Sequence, residues 1–143
     1  MKQINQALTE LGSIIENNIK NYMIPHQEGK TIRISNVVIR PSKRYGYIVV
    51  DITLNKTVAT TFSKIAAIAV AKSYLKSNNF QSVLNIDNIL EKNYNDCRFY
   101  NHIIKSNNNN ANKDSILIRM EVSKQKIESV TKSLDDIILG DMR

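Results

Sequence analysis

The chain has 143 residues, the size of one ordinary domain, and its 20 Lys+Arg against 13 Asp+Glu give a net charge of +7. With 42% hydrophobic and 23% charged residues it can bury a core, which excludes disorder by composition. A single cysteine excludes an internal disulfide, no apolar run approaches the roughly 18 residues of a membrane span, and residues 1–20 carry polar residues at helical intervals in place of the apolar block of a secretory signal.

Residues 2–23 read as an amphipathic helix: Ile4, Leu8, Leu11, Ile15, Ile19 and Tyr22 recur at three- and four-residue steps with Asn, Gln, Glu and Lys between them. Gly12 weakens its middle by about 1 kcal/mol relative to Ala, and Pro25 and Gly29 stop it. From Lys30 the period changes from 3.6 to 2. Thr31–Arg40 is rich in β-branched residues and reads as one strand, and Pro41–Gly46 as a turn. Tyr47–Leu54 alternates, with Ile48, Val50, Ile52 and Leu54 on one face and Tyr47, Val49, Asp51 and Thr53 on the other. A tight turn at Asn55-Lys56 then leads into a third strand, Thr57–Phe62, completing an antiparallel meander.

Ser63 stands where a helix N-cap belongs, ahead of a helix from Lys64 to about Ser77. Its apolar positions are mostly small, which suits close approach to the covered face of a sheet. Beyond it run two apolar stripes: Val83, Ile86, Leu90, Cys97, Tyr100 and Ile104, and then Ile116, Met120, Ser123, Ile127, Val130, Leu134 and Ile137. The second steps 4, 3, 4, 3, 4, 3, a heptad seam interrupted only by Ser123. A polar loop, Asn107–Asn112, joins them as an antiparallel helical hairpin.

The charge is unevenly distributed. Residues 30–76 hold nine basic residues against one acid, Asp51, for a net of +8, whereas residues 81–143 balance at nine and nine. Such asymmetry suggests a polyanion partner for the front half; the alternative is a solvated basic surface that keeps the protein soluble or faces an acidic neighbouring subunit. Within it, Arg40, Lys43, Arg44, Tyr45 and Tyr47, together with the Lys64/Lys72/Lys76 stripe, are the candidates for nucleic-acid contact, cations taking phosphates while rings stack. In the hairpin, Tyr94, Phe99, Ile103, Ile118 and Val122 lie off the two seams and are the candidates for a partner interface. The two stripes can be satisfied by the first helix in a three-helix bundle, or by a second copy or another protein; the expectation favours the latter.

No catalytic group, metal site or cofactor is expected. His26 and His102 are far apart, Cys97 lies on an apolar stripe where cysteine behaves as a small core residue, and Asp135 and Asp136, being adjacent, point apart on a helix. There is no glycine-rich phosphate loop, zinc spacing or nucleophile elbow.

The order helix, three strands, helix across residues 4–77, with the turn Pro41-Ser42-Lys43-Arg44 and the helix start Ser63-Lys64-Ile65-Ala66-Ala67-Ile68-Ala69, resembles the double-stranded RNA-binding domain. That family grips phosphates with lysines at this helix start. Only Lys64 is present here, Ile65 and Ala67 stand at the other two positions, and the turn lacks the family's histidine. A second resemblance spans roughly residues 30–139. Thr61–Leu75 and Glu91–Tyr100, followed by a closing helix, are similar to small uncharacterised virion-associated proteins of marine tailed phages. It implies a virion or assembly role, located in a virion or the host cytoplasm, and carries no site residues.

The expected architecture is α+β: a basic α-β-β-β-α module over residues 1–80, then a helical hairpin over 81–143 that serves as an oligomerisation or docking arm. The expected function is that of a non-enzymatic structural or assembly protein, a phage virion component docking on copies of itself or on other virion proteins. The alternative is a sequence-tolerant nucleic-acid-binding protein. Neither a membrane nor a small-molecule substrate is expected as partner.

Overall fold

The computed structural model describes residues 2–20, 31–43, 46–106 and 112–141. The elements run α1 (Lys2–Lys20), β1 (Ile32–Ile34), β2 (Val37–Ser42), β3 (Gly46–Asp51), β4 (Lys56–Thr61), α2 (Lys64–Leu75), α3 (Gln81–Lys105) and α4 (Lys113–Asp141). The class is α+β, with one antiparallel sheet in the order β1-β2-β3-β4. Residues 21–23, Pro25, His26, Gly29, Lys30, Arg44, Tyr45 and 107–111 lie outside the described residues.

Four strands replace the expected three because the run 31–40 folds back on itself at Ser35-Asn36. Ser35 has φ +56°, and Ile34 then pairs with Val37 and Ile32 with Ile39. A two-residue hairpin loop demands such backbone, and the short polar pair Ser-Asn tolerates it better than the β-branched residues around it. The turn is further held by Asn36, whose carbonyl accepts the Ile52 N–H at 2.9 Å and whose Nδ2 donates to Asp51 at 3.2 Å. Gly46, at φ +91°, starts β3 against the end of β4. A Cβ there would fall 2.6 Å from the Thr61 carbonyl oxygen, so only glycine fits.

The covered face of β3 is that of Tyr47, Val49 and Asp51. With Val37 and Ile39 of β2 it packs on Ala66, Ala67, Ala69, Val70 and Ala71 of α2. The far side of α2 meets the base of the hairpin through Val83 and Leu134. This explains why the stretch Ile65–Ala71 of α2 is apolar all round: it lies between two layers, and alanines allow both to approach. Its ends are well defined. Ser63 Oγ accepts the Ala66 N–H at 3.2 Å. At the other end Ser77 takes φ +57°, its N–H donates to the Tyr74 carbonyl and the Asn78 N–H to that of Ser73, so the helix stops at Leu75 rather than Ser77.

A second core joins three helices: Leu8, Leu11 and Ile15 of α1, Leu90 and Cys97 of α3, and Ile116, Met120, Ile127 and Val130 of α4. Each fully buried Leu, Ile or Met contributes on the order of 2 kcal/mol. The helix placed by chain order with the sheet therefore packs with the hairpin instead. Both apolar stripes are satisfied within the monomer in their main members. Gly12 has a reason here, since an added Cβ would overlap Asn101 Oδ1; α1 and α3 meet closely at this point, and Asn101 Nδ2 donates to Glu16 at 3.0 Å. Ser123 is buried in the same bundle, and its hydroxyl makes no hydrogen bond among the described residues.

Candidate functional site

The cations proposed for nucleic-acid contact separate onto two sides of the sheet. Strand register places Arg40, with Arg33, Val38, Ile48, Val50, Thr57 and Thr60, on the face turned away from α2. Lys43 is exposed in the β2–β3 turn. Lys64 and Lys72 are half-buried on α2 and Lys76 is exposed just beyond it, on the other side of the sheet. Lys56 shares that side, its Nζ 5.8 Å from the centre of the Tyr74 ring. Tyr47 is only 3% exposed, inside the sheet–α2 core, so its ring does not reach a base.

The hairpin candidates also divide. Tyr94 and Ile103 are half-buried in the bundle, Tyr94 with its ring 5.4 Å from that of Phe62. Phe99, Ile118 and Val122 remain 60%, 62% and 57% exposed. All three lie in the half of the hairpin nearest its loop, away from the sheet.

Two buried aspartates, neither singled out from sequence, organise the space between these surfaces. Asp51 ends β3. Its carboxylate accepts the N–H groups of Thr53 at 2.9 Å and Leu54 at 3.1 Å, and the Tyr74 hydroxyl at 2.5 Å. The Tyr74 bond, with these amides, holds the Asp51 carboxyl below its ordinary value and pushes the Tyr74 phenol up. Asp87, on α3, accepts the Phe62 N–H at 2.7 Å, the Ser63 N–H at 3.0 Å and the Ser63 hydroxyl at 2.8 Å. Burial pushes its carboxyl up, and these three bonds offset part of that. The carboxylate thus ties α3 to the start of α2, where the helix dipole favours negative charge. One sequence signal was available: Asp87 stands four residues after Val83 and three before Leu90, on the same helical face as both.

Cys97 and Asp87 are both held by the fold. Burial, with Glu16 beside it, pushes the Cys97 thiol up to about 11 despite the bond from Asn101, so at neutral pH it is protonated and a poor nucleophile. Asp87 has its lone pairs committed to backbone and Ser63. A shallow cleft between α1 and α3 is lined by Glu16, Arg98, Asn101, His102 and Lys105. Among the described residues no three His, Cys, Asp or Glu side chains converge as a metal site would require, and no helix is long and apolar enough to cross a membrane.

Comparison with known proteins finds no matching family model, no matching curated protein and no matching solved structure. What can be said of function rests on the two surfaces themselves.

Proposed function

We propose that the protein is a non-enzymatic structural or assembly protein that docks on a neighbouring protein subunit through the loop-ward half of its α3–α4 hairpin. The observation that carries this reading is the exposure of Phe99, Ile118 and Val122 after α1 has covered the main seams. Aromatic and aliphatic side chains that a fold leaves outside its own core are the anchors protein interfaces use. A virion as the setting of that subunit is part of the proposal and rests on residue pattern in 61–75 and 91–100 alone.

Light scattering across a concentration series tests the reading for a second copy as the neighbour. The expected result is a mass above the 16.3 kDa of one chain, returning to one chain in Val122→Lys and Phe99→Ser variants that keep their helix content. A constant single-chain mass at high concentration, with neither substitution altering it, would remove self-docking.

A further inference from the structure

The sheet has one face that α2 covers and one that no described helix packs against. The second face is laid out in two rows by the strand register: Arg33, Val38, Val50 and Thr57 across the four strands, and beside it Arg40, Ile48 and Thr60. Arg33, Arg40, Thr57 and Thr60 are exposed, Ile48 and Val50 are half-buried, and Val38 is 6% exposed. Arg33 is steadied by a 2.9 Å bond from its Nε to the Ser35 carbonyl. Arg33 and Arg40 lie one strand over and two residues along from each other, so their Cα atoms are about 8 Å apart. That is comparable to the separation of neighbouring phosphates on one nucleic-acid strand.

The electrostatics of this face are one-sided. The only acid in residues 31–76 is Asp51. It points to the opposite face, where Tyr74, Thr53, Leu54 and Asn36 already bind it. The described residues of the open face therefore present two guanidinium groups and two exposed hydroxyls with no carboxylate among them. We infer that this open sheet face binds the phosphate backbone of a nucleic-acid duplex, with Arg33 and Arg40 as the phosphate contacts and Thr57 and Thr60 as further donors.

The chemistry favours a duplex over the two rival occupants. A protein partner needs protruding apolar or aromatic anchors at the centre of its footprint, and the centre here is the recessed Val38. A single strand needs rings on which its bases stack, and the described face has none, Tyr47 being on the other side. Arginine with hydroxyl donors and no stacking platform matches backbone contact. This inference is independent of the hairpin reading, because it concerns the opposite end of the molecule.

Fluorescence anisotropy with the full chain and a labelled mixed-sequence DNA duplex of about 20 base pairs tests it. Binding is expected at low salt and is expected to weaken steeply as salt rises, since each neutralised phosphate releases counterions. The doubly substituted Arg33→Ala/Arg40→Ala protein should bind at least about tenfold more weakly and lower the log–log salt slope by about 2. Arg40→Ala alone should lower the slope by about 1, and Arg33→Lys, which keeps the charge, should bind within a few-fold of the parent. Lys72→Ala, on α2, and Val122→Lys, on the hairpin, should change affinity less than twofold. The inference is overturned by absent binding at low salt, by an unaltered double variant of unchanged circular dichroism, or by equal loss in Lys72→Ala. It is also overturned if a single strand binds more tightly than the duplex, or if poly-glutamate of equal charge competes as well as the duplex does.

Discussion

In the sheet layer, α2 meets the strands through Ala66, Ala67, Ala69 and Ala71 with a few valines and isoleucines, while in the bundle Leu8, Ile15, Leu90, Met120 and Ile127 interlock across three helices. The two regions solve burial differently. A helix covered on both sides needs small residues so that a sheet and a helical pair can both approach. Three helices that face one another on one side each need large ones to fill a shared seam. The layer with less side-chain volume is also the one closed by polar locks, Asp51 at the strand end and Asp87 at the junction with α3. Small apolar contacts limit what packing alone contributes there, and hydrogen bonds to buried carboxylates fix the geometry that packing leaves loose.

This contrast can be broken first in the bundle. Leu90→Ala should lower the unfolding free energy by about 4 kcal/mol in urea titrations, the magnitude of a cavity in a well-filled core; a loss under 1 kcal/mol would contradict the interlocked seam. At the junction, Asp87→Ala should cost about 3 kcal/mol, because the N–H groups of Phe62 and Ser63 lose their acceptor inside the fold. Hydrogen exchange should show the start of α2 opening before the bundle does. In the sheet layer, Ala69→Leu should cost about 2 kcal/mol by overpacking where both faces are occupied, read from the same titrations. The smallest of the measurable mutational effects has the opposite sign. Ser123→Ala should stabilise by about 1 kcal/mol, since it removes a buried hydroxyl that has no described partner.

The two aspartates sharpen the comparison through pH. The folded Asp51 carboxyl titrates below the ordinary 3.8, so its contribution to stability is present above that value and is lost as pH falls through the folded value beneath it. Asp87 is shifted upward, so the folded state takes up its proton first and this group alone favours folding as pH falls toward 3.8. Urea midpoints between pH 2.5 and 7 should therefore decline in acid less steeply in Asp51→Asn than in the parent. An unchanged acid limb in that variant would separate Asp51 from the sheet's acid sensitivity.

Much of the framework was legible from residue spacing. The heptad run from Ile116 to Leu134 is the buried face of α4, and Ser63 caps α2 as its position implied. The Ser35-Asn36 turn was hidden inside a dense β-branched run, where a left-handed serine is a local departure that propensity averages away. Of the candidate surface residues, Arg40 and Lys43 are exposed as expected, but Tyr47 is not, and Arg33 enters only through strand register. Alternation says that two faces exist; it does not say which one a helix will cover. That choice falls to the side where Asp51 finds Tyr74 and the alanines of α2 find Val37, Ile39 and Val49.

Helix and cap positions, the uneven charge and the two apolar seams follow from the chain alone, because each is a property of neighbours a few residues apart. Where α1 packs, which sheet face stays open, and which hairpin residues are left outside are decided only when distant segments meet. Several partners there could bury the same stripe, and the best-filled arrangement is selected by volume and hydrogen bonding that local periodicity does not encode. Gly12 is the plainest case: a weak point in an isolated helix, and in the folded molecule the place where α1 comes close enough to α3 for Asn101 to reach Glu16.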